Sequence, residues 1–264
     1  MNIEVRADLP PETHPDALAN LARPLDQEGT IGRAAYHEAR DALGTAYSTL
    51  AAIADAERAL HEHAQATEPA RRRQHPDGRS TYLGNLRMQD GRVRQFVNNE
   101  TEFAAAADAT LQRATQALDR RGESLGRHKA ALEERVAAAL KPKQAAHVQQ
   151  EIRAYVRSLP DDQRLDFLGK AASAGDRDTI GAVLEAPTYL SGLSAESSET
   201  IRAKAAQALA GTDYAQAQAV QSALDAVNRA GGRLVTKVGE LEKYRNGTAA
   251  RVGKAVDNVR KVGA

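Results

Sequence analysis

The sequence predicts an all-α protein organised around an elongated antiparallel helical hairpin. Residues 96–140 contain no proline, and Val97, Ala104, Leu111, Leu118, Leu125, Leu132 and Ala139 recur every seventh residue, along one stripe of a long helix. Upstream, Tyr36, Ala39, Leu43, Ala46, Leu50, Ile53, Glu57 and Leu60 follow 3-4 spacing, with Glu57 the one non-apolar member. Alanine makes up about a fifth of the chain, aromatics are 4% and tryptophan is absent. Such a composition forms helices readily but buries little apolar area. Narrow helix–helix seams are expected, with contacts between copies adding to stability.

Taken in order, residues 1–30 carry Pro10, Pro11, Pro15 and Pro24 and read as an extended arm with a short helix over 16–23. Residues 31–141 read as the hairpin, with helices over about 31–65 and 95–140. Its tip loop, 67–95, holds Arg71, Arg72 and Arg73, and a small β-hairpin is expected near 86–94 around Asp90-Gly91. Gly122 and Gly126 mark a kink or a break in the second helix. Arg121, His128 and Arg135 sit where a complete seam would be apolar, so an antiparallel partner is expected rather than a free parallel dimer.

Pro142 suits the first turn of a new helix and opens a bundle of short helices, 142–210, that holds most of the larger apolar side chains. Within it, Pro160, Gly175-Asp176 and Pro187 stop helices, Asp161 and Asp176 start them, and Ser194 begins a helix through Leu209. Ser194 opens only a partial capping box, because Ser197 stands where glutamate is preferred. After Gly211, residues 211–264 read as a long helix with interruptions at Gly231-Gly232 and Asn246-Gly247, then a basic C-terminal helix. Up to Tyr244 this helix can make the hairpin three-stranded.

Charge is balanced, 36 basic against 35 acidic residues, which argues against wholesale nucleic-acid binding. Its distribution is uneven. Residues 1–30 hold six acidic and two basic side chains, residues 71–94 seven arginines and two aspartates, and residues 229–264 nine basic and three acidic residues. The absence of cysteine excludes disulfides and thiolate metal sites. No apolar run approaches a membrane span, and the N-terminus lacks the features of a secretory signal. The expected protein is soluble and is not secreted by a signal peptide.

Motifs for chemistry are weak. Residues 247–255 resemble a phosphate loop, but with one residue too many between Gly247 and Gly253 and with Ala255 where a magnesium-binding hydroxyl belongs. His61 and His63 point to different faces of a helix and do not make a zinc site. Asp176-Arg177-Asp178 begins like a calcium loop, yet Pro187 occupies the twelfth position. No nucleophile elbow occurs, and the acid pairs Glu133-Glu134 and Asp161-Asp162 read as surface charge. The expectation is no enzyme, no cofactor and no metal. Arg71, Arg72, Arg73, Lys254, Arg260 and Lys261 stand out as partner-contact candidates, for an acidic protein surface or for nucleic-acid phosphates.

The run from Ala174 to Ser194, AGDRDTIGAVLEAPTYLSGLS, resembles a segment of helical proteins of unknown function encoded by tailed bacteriophages and prophages of proteobacteria. The preceding order is similar too: a helix, an arginine-bearing Asp-Gly turn, then a long alanine-rich helix, so the resemblance covers about 31–210. It implies a virion or virion-assembly component and transfers no active residue. The expected function is a non-enzymatic structural or assembly protein present in several copies. Its expected partners are other virion or assembly proteins and further copies of itself, in the virion or in the host cytoplasm during assembly, with no membrane contact. A nucleic-acid-associated helical protein using the basic zones, and a cytoplasmic adaptor or chaperone, are the alternatives that stay open.

Overall fold

The computed structural model describes residues 4–27, 30–67 and 82–246. Among them all regular structure is helical. Short 3-10 turns at Pro11–Thr13 and Pro15–Leu21 lead into α1 (Ala22–Leu25). Then come α2 (Ile31–Thr67), α3 (Tyr82–Leu140), α4 (Ala146–Ser158), α5 (Asp161–Ser173), α6 (Arg177–Leu184), a 3-10 turn at Thr188–Leu190, and α7 (Ala195–Asn246). The chain divides into two compact units. One comprises residues 1–17, 40–122 and 226–264, the other 18–39 and 123–225, so α2, α3 and α7 each contribute to both.

In the first unit α3 runs antiparallel to α2 and α7. Arg121 of α3 donates to Thr45 Oγ1 at 2.8 Å and to the Asp41 carbonyl at 3.3 Å. Farther along, Tyr244 of α7 meets Phe103 of α3 edge-on at 5.3 Å and donates to Glu57 of α2 at 2.6 Å. The seam between them is fully closed at Leu43, Ala46, Leu111 and Leu234. The buried alanines beside them, Ala42, Ala104 and Ala230, let the helix axes approach closely, which is how an alanine-rich chain closes a core at all. The third strand expected from the sequence is thus present in this unit.

In the second unit the short helices pack around Leu140, Val156, Leu168, Ile180, Val183, Leu193 and Ile201. α5 ends in a Schellman motif: Asp176 N–H reaches the Ala171 carbonyl, Gly175 N–H the Ala172 carbonyl, and Gly175 takes φ 70°. Asp176 then accepts the Thr179 N–H and caps α6, as the sequence implies. Ser194 accepts the Ser197 N–H at 3.0 Å, and its hydroxyl donates to Ser197 Oγ, the partial capping box.

Four expectations need correction. Residues 86–94 form no β-hairpin; α3 already begins at Tyr82, and only 68–81 of the tip fall outside the described residues. Leu83, Leu86, Asp90, Val93 and Val97 also satisfy 3-4 spacing, and a lone two-stranded hairpin is marginal in water. Extending an existing helix costs only about 1 kcal/mol at Gly91. Gly122 and Gly126 likewise leave α3 unbroken. Pro142 does not open a helix, because α6 holds the backbone there. Arg177 donates to the Lys141 carbonyl, Asp178 accepts the Lys143 N–H at 2.7 Å, and α4 starts only at Ala146. Gly231-Gly232 does not break a helix, whereas the separation expected beside Gly211 is present: within Ala195–Asn246 two helices meet at a kink at Ala210, whose φ −138° and ψ 35° are non-helical.

The N-terminal arm is not a free extension. Leu9, Thr13 and His14 are buried in the first unit, and Leu18 and Leu25 in the second. Leu18 and Leu25 find apolar cover on the chain's own helices, and that cover cannot be read from the arm alone.

Candidate functional site

The six contact candidates read from the sequence, Arg71, Arg72, Arg73, Lys254, Arg260 and Lys261, lie outside the described residues. So do the phosphate-loop-like run 247–255 and the basic C-terminal helix. The described residues hold four other arrangements of interest, each within one unit.

The Asp176-Arg177-Asp178 run is a joint. Asp176 caps α6, and Arg177 donates to the carbonyls of Lys141 and Ala138 at the C-terminal end of α3, where a cation is favoured. Asp178 accepts the Lys143 N–H, which holds its carboxyl below the ordinary carboxylate range. Among the described residues no group of three or more His, Asp or Glu side chains converges as a metal site needs.

Glu57, the single polar interruption of the α2 seam, is the centre of a network in the first unit. Lys237 Nζ lies 2.9 Å from Glu57 Oε2 and 3.0 Å from Glu240. Tyr244 donates to the other Glu57 oxygen. Burial would depress the Lys237 ammonium, but the two carboxylates outweigh it and leave its pKa raised. The Tyr244 hydroxyl is pushed well above its ordinary value by burial and by Glu57. Of the other polar seam positions, Arg121 is hydrogen-bonded to α2 in the first unit, while in the second His128 lies 3.5 Å from Glu38 and the exposed Arg135 3.9 Å from Asp213.

The third arrangement holds the N-terminal segment on the first unit. The Arg6 guanidinium forks onto both oxygens of Asp8 and both oxygens of Asp55, all between 2.8 and 3.0 Å. Arg58 closes the ring, 3.0 Å from Asp8 and 3.2 Å from Asp55. Tyr47 reads the backbone: its hydroxyl accepts the Arg6 N–H and donates to the Glu4 carbonyl, while His14 packs edge-on against its ring at 4.8 Å. Glu12 pairs with Arg233 of α7 at 2.5 Å. Nothing in the sequence marked these residues as partners; the acidic excess of residues 1–30 was the one signal.

Acid should release this segment. Bonding to Arg6 lowers the Asp8 carboxyl from 3.8 to about 2 and lowers Asp55 as well. Glu12 is lowered by its own backbone N–H and by Arg233. Folded pKa values below the unfolded ones mean that the stabilisation is present at neutral pH. It is lost as pH falls from 3.8 towards about 2. A spin label at Val5→Cys, at a position 61% exposed and in a chain without cysteine, should gain mobility over that range. Unchanged mobility down to pH 2 would show that the carboxylates do not hold the segment.

Finally, the body of short helices exposes large apolar side chains. Tyr155 on α4 is 54% exposed, Leu165 on α5 43% and Tyr189 72%. Tyr155 and the half-buried Phe167 meet edge-on at 5.5 Å. A cleft of about 390 Å³ in the same unit is lined by Lys129, Glu133, Leu140, Arg202, Tyr214 and Gln218. Its cations are already paired, Lys129 with Glu133 and Arg202 with Glu199.

Fold and surfaces together define an all-α protein with alanine-rich helix seams, in which Tyr155, Leu165 and Tyr189 are exposed among the described residues. No family model, no curated protein and no solved structure matches the chain. No helix among the described residues is long and apolar enough to cross a membrane.

Proposed function

We propose that this chain is a non-enzymatic structural or assembly protein of a bacteriophage particle, present in several copies and acting through helical protein–protein contacts. The observation that carries the reading is the exposure of Tyr155, Leu165 and Tyr189 on a helical body whose core buries Leu140, Val156, Leu168, Ile180, Val183, Leu193 and Ile201. Tyrosine is enriched where proteins meet, because its ring supplies contact area and its hydroxyl a polar handle. The setting comes from the phage-like run 174–194. Its distinctive residues, Gly175, Asp176, Arg177, Asp178 and Gly192, are turns, caps and anchors of this same body. In this chain they serve the scaffold, in keeping with a protein that works by shape.

Mass spectrometry of purified particles tests the reading: the chain should be present in several copies, and its absence from particles would sink the proposal. In the same preparations, the triple substitution Tyr155→Ser, Leu165→Ser, Tyr189→Ser should lower incorporation at least tenfold. That corresponds to about 1.4 kcal/mol of lost contact free energy, well within what two interface tyrosines supply. Undiminished incorporation would remove this face as the contact.

A further inference from the structure

The ring Arg6–Asp55–Arg58–Asp8 is a recognition site as well as a fastening. One side of it, Tyr47, Asp55 and Arg58, stands on α2, and Arg233 on α7 extends it. The other side is a short segment with little regular structure of its own. Tyr47 reads its backbone, Asp55 reads a guanidinium, and Arg58 and Arg233 read carboxylates spaced as Asp8 and Glu12 are. These contacts give the face defined side-chain preferences for the segment it holds.

We infer that this face also accepts the N-terminal segment of a second copy, so that copies are joined by exchange of residues 4–12. The inference deepens the multi-copy part of the proposed function. Charge complementarity is the warrant: the neighbour's segment carries the same Arg6, Asp8 and Glu12 that the face already binds. Weak fastening makes exchange accessible. Arg6 is 24% exposed, Asp8 43%, Asp55 54% and Arg58 56%, and ion pairs this wet are individually weak. Leu9 is the apolar anchor of the segment. Local release therefore costs much less than global unfolding. At low concentration the tethered segment wins, because its effective concentration is roughly millimolar. Where copies are crowded, as in an assembly, the neighbour's segment competes on equal terms.

A paired charge reversal tests this with the full chain. One preparation carries a donor dye at Val5→Cys together with Asp8→Arg. The other carries an acceptor dye at Ala59→Cys, an exposed position beside Arg58, together with Arg58→Glu. Each chain is mismatched with itself, and the two are matched only across copies. Energy transfer on mixing should appear at concentrations about tenfold lower than for the same labels on otherwise unaltered chains, the gain expected from exchanging repulsive for attractive pairs. Helical circular dichroism verifies that both preparations are folded. No transfer above that of the unaltered pair would overturn the inference. So would equal transfer when both partners carry Asp8→Arg, since contact would then be independent of the ring. Detection of the chain in particles is read separately, so exchange and virion membership can fail independently.

Discussion

Arg164→Met should cost about 3–5 kcal/mol, since hydrogen bonds from a charged group contribute roughly 1.5–3 kcal/mol each, and should lower the melting temperature by roughly 10 °C. The guanidinium is buried between α4, α5 and the turn after Thr188–Leu190. It donates to the carbonyls of Val156 at 3.0 Å, Arg157 at 3.2 Å and Leu159 at 2.8 Å, and to that of Gly192. Three of those carbonyls belong to the end of α4, where four backbone acceptors lack helical partners. Arg164 therefore terminates α4 and ties it to the Gly192 turn. Asp161, at 2.9 Å, balances its charge. Methionine fills the space but takes the guanidinium donors away from these carbonyls, of which that of Val156 keeps a backbone partner, the Leu159 N–H. Arg164→Lys should recover about half of the loss, because an ammonium cannot span a fork of four acceptors. Thermal unfolding followed by circular dichroism measures both, and a Met variant within 1 kcal/mol of the parent, the size of a single ordinary hydrogen bond, would refute the assignment.

Gly181→Ala should destabilise by about 2–4 kcal/mol, while Gly126→Ala should stabilise by up to about 1 kcal/mol. A Cβ on Gly181 would lie 2.5 Å from the Leu140 carbonyl oxygen and 2.7 Å from both the nitrogen and Cδ of Pro142. Two of the three are backbone atoms, so the whole end of α3 must shift. A Cβ on Gly126 meets nothing within 4 Å, and only the helix propensity changes. Denaturant titration of the two variants gives opposite signs if this packing is right. Equal effects would mean that α6 does not press on the Leu140–Pro142 backbone.

Several features were legible because their signals are local. The 3-4 run of α2 and the seven-residue stripe of α3 predicted Ala39, Leu43, Ala46, Leu111, Leu118, Leu125 and Leu132 as seam residues, and each is buried. Gly175-Asp176 and Ser194 announced helix ends through their own backbone chemistry. Elsewhere the local signal misled. Asp90-Gly91 is a turn signal only when two strands have something to pair against, and here helix propagation wins. Pro142 suits a helix start, but Arg177 and Asp178 hold its neighbours first.

The candidate sites were less legible still, since each depends on residues distant in the chain. Glu57 was visible as a flaw in a seam, but its partners lie 180 and 187 residues away. Arg164 looked like any surface arginine of a polar helix, and Arg6 like one of two cations in an acidic arm.

By itself, then, the sequence determined the class: helices from alanine and periodic apolar spacing, thin seams from small side chains, helix ends from capping residues. Each of these follows from interactions within a few turns of one helix. Tertiary structure alone decided that the proline-rich arm lies on its own chain, that Arg164 and Gly181 are joints, and that Glu57 is a cross-link. Those outcomes depend on which side chain faces which carbonyl or carboxylate across the fold. A charged or hydroxyl group finds its partner only when packing removes the water that would otherwise satisfy it.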